Sequence, residues 1–270
     1  NSRSFIFMTD TLKIFEENDN KSLFFRVLIE LRLFARHFLF VIDTKSSGFI
    51  RLNFALPIYT RSRRMMFDAR RPMVIDNEDL EHLREELSDI SSVLTQLVPG
   101  LSIGFKEISQ TLDKDGEAAT VTMLTAYRDG KELPLRDESD GVRKIISVLS
   151  LIIAAFNEQS VTVAIDEFDA GIFEYLLGEI LQSMEESGKG QFIFTSHNLR
   201  PLEVINKKFL YFTTTNPQNR YIRLKNISAT NNLRDTYFRE IILCEQEEEI
   251  YNKTKKFKII AALKKAGGLR

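Results

Sequence analysis

Two adjacent carboxylates and a histidine stand where the sequence predicts the ends of two buried strands. Asp166 and Glu167 follow the apolar run 161–165, and His197 follows a second run at 192–195. In α/β proteins, ligands bind in the crevice outside the carboxyl ends of parallel strands. There Asp166 can hold a hydrated Mg²⁺, Glu167 can orient or deprotonate a water, and His197 can hydrogen-bond to a terminal phosphate. The pattern indicates metal-assisted phosphate chemistry, although a strand that simply ends in acidic residues would show the same Asp-Glu pair.

A third polar group precedes a long apolar helix predicted over 142–156. Ser139 fits the N-cap position, and Gly141 permits close approach of another group. The N–H groups and dipole at such a helix end favour an anion. Arg143 and Lys144 place positive charge in the first turn, which is unfavourable for the dipole and is easier to explain if an anion docks there. An ordinary helix cap is the alternative interpretation.

The surrounding pattern indicates an α/β fold. Residues 76–98 have helical spacing, and 101–135 change to strand alternation with turns at Asp115-Gly116 and Asp129-Gly130. Apolar strands then alternate with helices, which predicts a parallel sheet covered on both faces. Those strands are expected at 161–165, 192–195 and 209–213. Upstream, we expect one or two helices over 11–42, a strand over 49–59 and a loop over 61–71.

Composition excludes several classes of protein. The 270 residues are 43% hydrophobic, enough for one large core or two modest ones. The single cysteine, Cys244, excludes an internal disulfide and favours a cytoplasmic protein, and the three histidines lack the spacing of a zinc site. The most apolar stretch, 22–42, is interrupted by charged residues that a membrane span would not tolerate. We therefore expect no membrane association.

The net charge of -1 hides an uneven distribution of charge. Residues 201–270 carry 14 basic and 7 acidic side chains. Such a block is either a set of solvated helix faces or a surface for nucleic acid or another partner. Five arginines also lie within 61–71 and allow the same two interpretations.

Taken in order, the motifs resemble those of an ATP-binding-cassette (ABC) type ATPase head, from the SMC, RecF and OLD (overcoming-lysogenization-defect) group of AAA family ATPases. Residues 138–144 look like the signature motif, 165–167 like Walker B, 168–170 like the D-loop and 194–198 like the switch-histidine strand. The resemblance is specific over 138–198. It implies a P-loop NTPase core with a parallel sheet, an antiparallel β meander and a helical insertion.

The resemblance also implies ATP and Mg²⁺ as cofactors and a homodimer closed by ATP. Asp166 would bind Mg²⁺ through water, Glu167 would be the catalytic base, and His197 would contact the γ-phosphate. Asp169 would communicate across the dimer, and Ser139 and Gly141 would contact the γ-phosphate held by the opposite subunit. We expect three regions: an insertion region (1–100), the ATPase core (101–225) and a helical tail (226–270).

One element of that family is missing from these residues. The sequence contains no Gly-x-x-x-x-Gly-Lys-Ser/Thr phosphate loop, and it begins at Asn1. We therefore expect the carboxyl-terminal part of an ATPase head, inactive as this piece and active when the phosphate loop is supplied. Its cycle would drive a clamp on nucleic acid or an effector protein, in DNA maintenance or phage defence. The alternative is a non-catalytic interaction module that binds through 61–71 and the basic tail.

Overall fold

The computed structural model describes residues 23–42, 55–59, 64–68, 71–224, 233–243, 248, 250–251 and 254–267. The chain forms two compact units, residues 1–197 and 198–270. The helices and strands of the first unit are α1 (Leu23–His37), β1 (Leu39–Ile42), β2 (Ala55–Tyr59), β3 (Arg64–Asp68), β4 (Met73–Asp76), α2 (Asn77–Leu97), β5 (Leu101–Leu112), β6 (Ala118–Arg128), β7 (Lys131–Pro134), α3 (Asp140–Asn157), β8 (Thr162–Ile165), α4 (Glu174–Ser187) and β9 (Gln191–Phe194). Those of the second are α5 (Pro201–Val204), β10 (Phe212–Thr213), β11 (Tyr221–Ile222), α6 (Leu233–Leu243) and α7 (Lys256–Ala266). Short 3₁₀ turns cover Leu135–Asp137 and Lys207–Phe209.

A parallel sheet of order β1-β8-β9 positions the predicted site. Val163 lies opposite Phe40 and Phe192, and Ile165 opposite Ile42 and Phe194. Val163 and Ile165 are fully buried or nearly so, as expected for a central strand. Because the three strands are in register, their carboxyl ends lie at one edge of the sheet.

Among the helices that the structure describes in the first unit, α3 is the most deeply buried. Eleven of its 18 residues are buried, which agrees with an apolar surface that extends around most of the helix. It contacts β8, β9 and α2. The amino end of α3 is therefore fixed by packing along the rest of the helix.

The antiparallel meander is a second sheet of order β4-β6-β5, with β7 also paired to β6. The helix α2 covers it, with Leu83, Ile90 and Leu94 buried at helical spacing. Its N-cap is Asp76, whose carboxylate accepts a hydrogen bond from the Asp79 N–H at 2.6 Å. The predicted helix over 76–98, the meander and the α/β class with a parallel sheet are all confirmed.

Upstream of the meander, two described segments differ from the prediction. The segment 39–42 is a strand instead of a continuation of the helix, because Phe40 and Ile42 pair with the buried strand β8. The segment 64–68 is a strand paired with β2, so the predicted loop is wrong there. The calls on 11–22, 49–54, 61–63 and 69–70 fall outside the described residues.

The sheet itself differs from prediction in two ways. Phe212–Thr213 pair antiparallel with Tyr221–Ile222 in a separate hairpin, so the parallel strand predicted at 209–213 is wrong. Val41 and Ile193 on one face of the parallel sheet are 66% and 50% exposed. Within the described part of the chain, that face lacks the cover that was expected on both sides.

The second unit contains the hairpin and the helices α5, α6 and α7. Phe212 is buried and stacks on Tyr237 of α6, with ring centroids 5.4 Å apart. Glu203 binds Arg200 and Arg234, both at 2.8 Å. None of the helices that the structure describes is long and apolar enough to cross a bilayer.

Candidate active site

The carboxyl ends of β8 and β9 bring the predicted acidic pair beside the Thr195–His197 segment. The Thr195 hydroxyl donates a hydrogen bond to Asp166 Oδ1 and accepts one from the Glu167 N–H at 2.7 Å. The Phe168 N–H donates to the Thr195 carbonyl at 3.0 Å. The Thr195 side chain thus contacts the Asp166 carboxylate and the Glu167 backbone, and the Thr195 carbonyl contacts the Phe168 backbone. The two strand ends are neighbours, as the sequence predicted, because β8 and β9 pair in parallel.

Glu167 has a left-handed backbone, with φ of 50°. A non-glycine residue in this region costs of order 1 kcal/mol and persists only where neighbours hold it. Here the Glu167 carbonyl accepts hydrogen bonds from Lys144 Nζ at 2.6 Å and from the Ala170 N–H at 3.1 Å. We call residues 166–171 the Glu167 loop. The directions of the Asp166 and Glu167 side chains are therefore set by this strained turn and not by a regular strand.

A buried phenylalanine packs the Glu167 loop against strand β9. Phe168 is fully buried and makes edge-on contacts with Phe192 and Phe194 of β9, with centroids 5.2 and 5.9 Å apart. Since Phe168 points into the core, the side chains on either side of it stay at the surface. This arrangement explains how Glu167 and Asp169 remain accessible at the end of a buried strand.

His197 lies beside the loop and contacts two of its acids. Its Nε2 is 3.8 Å from Glu167 Oε1, which is too long for a direct hydrogen bond. Its backbone N–H donates to both Asp169 carboxylate oxygens, at 3.2 and 3.3 Å. Asp169 therefore fixes the backbone at His197, while the imidazole is exposed. A ligand phosphate could approach this imidazole from solvent.

The amino end of α3 packs against the other side of the Glu167 loop. Ser139 is the N-cap, as predicted, and accepts a hydrogen bond from the Val142 N–H at 3.3 Å. A Cβ added to Gly141 would fall far inside van der Waals contact with the Gly171 carbonyl oxygen. Gly171 itself has φ of 78°. Glycine at 141 is therefore required by this close approach.

The structure corrects the interpretation of the two basic residues in the first turn of α3. Lys144 is 2% exposed, and its ammonium donates to the carbonyls of Glu167 and Ala170 at 2.6 and 2.9 Å. Arg143 binds the Asp140 carboxylate and the Arg136 carbonyl. Both cations are explained by contacts within the chain, so neither requires a docked anion.

Burial lowers the pKa of Lys144 to about 8, against the opposing effect of Asp169 and Glu167. An ammonium removed from water loses hydration that two carbonyl contacts only partly replace. Sequence reasoning missed Lys144 as a support of the Glu167 loop. A lysine within an otherwise apolar helix face was the only signal available.

A second pair supports the segment before α3. Glu138 is 9% exposed and accepts hydrogen bonds from Arg128 Nε at 3.1 Å and Nη2 at 2.8 Å. The contact with Glu138 also raises the pKa of Arg128. Two parallel bonds between a guanidinium and a carboxylate fix orientation as well as distance. The end of β6 thus holds the backbone that leads into Ser139.

The residues of this site could hold Mg²⁺ only if water and substrate supply the remaining ligands. In the described part of the chain, no group of three or more His, Cys, Asp or Glu side chains could hold a metal ion alone. Mg²⁺, however, commonly takes one or two carboxylates and completes its shell with water and substrate phosphate oxygens. Asp166, with the Thr195 hydroxyl beside it, suits that partial set of oxygen donors.

Comparison with known families supports the sequence resemblance at the level of the superfamily. Residues 17–203, more than half of the chain, match the family described as "AAA domain, putative AbiEii toxin, Type IV TA system". The chain belongs to this AAA family. It is therefore a member of the P-loop ATPase superfamily, whose proteins bind ATP with Mg²⁺. Its narrower assignment to the OLD type stays a prediction.

Other comparisons with this AAA family member are more distant. No curated protein matches the chain. Among solved structures, an SMC head bound to the C-terminal winged-helix domain of ScpA aligns with a TM-score of 0.33 and 18% identity. The alignment covers 46% of this chain and 36% of the SMC head chain, so this protein spans about a third of that structure.

Proposed function

We propose that this chain is the carboxyl-terminal part of an ABC-type ATPase head that dimerises around ATP and hydrolyses it. The observation that carries the proposal is the Glu167 loop, where Asp166 and Glu167 meet Thr195 and His197 at the ends of adjacent parallel strands. Membership of an AAA family supplies the expectation of ATP and Mg²⁺. The proposal places the protein in the cytoplasm.

In this proposal each residue has one task. Bound Mg²⁺ would neutralise charge on the phosphates, and Asp166 would hold it through water. The Glu167 carboxylate would accept a proton from the attacking water. The exposed imidazole of His197 would donate to the γ-phosphate. Ser139 and Gly141 would meet the nucleotide of the second subunit, and Asp169 would link the two subunits.

The use of the ATP cycle is a further part of the proposal. We propose that closing and opening of the dimer drives a clamp on nucleic acid or on an effector protein. The description of the family names a toxin of a type IV toxin–antitoxin system. Together with the resemblance to OLD-type proteins, this supports phage defence or DNA maintenance as the setting.

The test requires a protein that carries a phosphate loop, and reading the gene upstream of Asn1 shows whether that segment encodes one. Glu167→Gln should reduce ATP turnover by about 10²-fold or more, because it removes the general base. The same variant should accumulate an ATP-bound dimer, measured by light scattering with and without ATP and Mg²⁺. The control is Glu174→Gln, an exposed carboxylate at the start of α4, which should leave turnover unchanged.

Three outcomes would contradict the proposal. Unchanged turnover in Glu167→Gln would remove Glu167 from the role of base. An upstream reading frame without a phosphate loop would exclude ATP hydrolysis by this site. Turnover by the 270-residue chain alone, lost in Asp166→Ala, would show that the missing phosphate loop is not needed.

One observation favours the alternative of a non-catalytic interaction module. The two cations nearest Ser139 are engaged within the chain, Arg143 by Asp140 and Lys144 by the Glu167 loop. A phosphate at this helix end would therefore gain little from them. In that case the full-length protein should bind its partner with equal affinity with and without ATP and show no nucleotide binding by calorimetry.

A further inference from the structure

The β10–β11 hairpin of the second unit has two different faces. Its register places Phe212 opposite Ile222 and Thr213 opposite Tyr221. Phe212 is 9% exposed and packs on Tyr237, so its face is directed into the unit. Successive side chains of a strand point to opposite faces. The other face, which we call the hairpin face, carries Tyr211, Thr213, Tyr221 and Arg223.

The hairpin face exposes aromatic rings to solvent. Tyr211 and Tyr221 are 60% and 68% exposed, and Phe209 in the preceding 3₁₀ turn is 58% exposed. Extending the register by one residue places Tyr211 opposite Arg223, which makes the two tyrosines diagonal neighbours at a Cα separation of roughly 7 Å. Two exposed rings at this separation can stack on planar groups of a ligand.

Cations lie on two of these three rings. The Arg223 guanidinium is 4.5 Å from the centroid of the Tyr211 ring, and its Nη2 donates to Tyr211 Oη at 2.6 Å. Lys208 Nζ is 4.6 Å from the centroid of the Phe209 ring. Tyr211 and Phe209 are thus held by contacts within the chain before any partner arrives, which reduces the entropy lost on binding.

The segment that contains the hairpin carries basic side chains and no acidic ones. From residue 204 to 234 the sequence has no Asp or Glu and six basic residues: Lys207, Lys208, Arg220, Arg223, Lys225 and Arg234. Glu203, at the edge of this stretch, is neutralised by Arg200 and Arg234, and these contacts lower its pKa. Glu248 contacts the hairpin turn, where Asn216 and Asn219 donate to it at 2.9 to 3.1 Å. The hairpin face itself presents only aromatic, hydroxyl and cationic groups.

We propose that the hairpin face, with Lys208 and Phe209, binds single-stranded nucleic acid. Exposed rings stack on unpaired bases, and the surrounding cations contact the phosphates, which is the combination that single strands require. A duplex hides its base faces and would leave the rings without partners. An acidic protein would satisfy the cations alone.

This inference names the partner that the proposed function leaves open, and its place in an ATP-driven cycle rests on that proposed function. Binding itself needs no ATP, so the two can fail separately. The test uses the 270-residue chain without nucleotide and measures fluorescence anisotropy of a labelled dT₂₀, a labelled rU₂₀ and a labelled 20-base-pair duplex. Preference for dT₂₀ or for rU₂₀ identifies DNA or RNA as the natural partner.

The first pair of variants tests the rings. Tyr211→Leu with Tyr221→Leu should weaken binding of the single strands about tenfold or more, because each stacked base is lost with its ring. The matched control is Tyr175→Leu with Tyr251→Leu, two tyrosines that are 60% and 50% exposed elsewhere. The circular dichroism spectrum of both double variants should match that of the wild type, since none of the four rings is buried.

The second pair tests the cations. Lys208→Gln with Arg223→Gln should reduce the slope of log affinity against log salt by about 1.4, the loss of two phosphate contacts to a single strand. The control is Lys114→Gln with Lys131→Gln, two exposed lysines of the meander in the first unit, which should leave binding unchanged.

Four results would overturn the proposal. The first is equal binding by wild type and the double tyrosine variant, and the second is loss of binding in the Lys114 and Lys131 control but not in the Lys208 and Arg223 variant. The third is tighter binding of the duplex than of either single strand. The fourth is competition by poly-glutamate as strong as by unlabelled dT₂₀, which would identify an acidic protein as the partner.

Discussion

The Glu167 loop and the hairpin face both present polar groups to solvent, but they are built in opposite ways. In the Glu167 loop, a strained backbone is held by a buried phenylalanine, a threonine hydroxyl and a buried lysine. In the hairpin face, the functional side chains are exposed and contact mainly each other. A catalytic group needs a fixed position that only surrounding packing can provide, whereas a binding surface needs groups left outside the core.

The comparison predicts that substitutions around the Glu167 loop are costly and that those on the hairpin face are nearly neutral for stability. The largest effect is expected for Arg128→Met. It leaves the buried Glu138 carboxylate without its bidentate partner and should lower the free energy of unfolding by about 3 kcal/mol. Urea denaturation measures this. Arg136→Met, which removes an exposed pair with Asp137, should change stability by less than about 1 kcal/mol.

Lys144 should make stability depend on pH. The unfolded lysine has a pKa near 10.4, whereas in the folded chain it is about 8. Between these values the unfolded chain binds more protons, so the free energy of unfolding rises as pH increases from about 8 to about 10. The rise should reach up to about 3 kcal/mol.

Urea denaturation at several pH values measures the dependence on Lys144. In Lys144→Met this rise should be absent, while Lys189→Met, at an exposed position, should retain it. An equal rise in wild type and Lys144→Met would show that Lys144 is not the buried cation responsible.

Gly141→Ala tests the close approach of α3 to the Glu167 loop. The added methyl meets the Gly171 carbonyl and should cost about 2 kcal/mol as the loop is displaced. Gly116→Ala is the control, since Gly116 has φ of 84° but open space around it, and it should cost about 1 kcal/mol. Thermal unfolding of both variants gives the difference. Equal costs would mean that α3 and the loop do not touch.

The smallest effect compares one threonine from each region. Thr195→Val removes the hydroxyl that bonds Asp166 and Glu167 and should cost about 1.5 kcal/mol. Thr213→Val on the hairpin face should change stability by less than about 0.5 kcal/mol. A larger cost for Thr213→Val than for Thr195→Val would reverse the comparison between the two regions.

Sequence patterns were sufficient where a periodic run was long. The spacing of Leu83, Ile90 and Leu94 predicted α2, and the long apolar run over 142–156 predicted α3. They failed at short segments such as 39–42 and 64–68. A run of four or five residues has too few turns of any period to distinguish strand from helix or loop, and only pairing with a neighbour decides it.

The sequence by itself determined which groups are available: the Asp166-Glu167 pair at a strand end, the Ser139 cap, the order of the four motifs and the stretch 204–234 without acidic residues. The tertiary structure decided which of them act together. It directed Lys144 inward to the carbonyls of Glu167 and Ala170, and it left Tyr211 and Tyr221 on one exposed face. Composition and spacing describe neighbours along the chain, whereas burial and hydrogen bonding depend on residues brought together from distant positions.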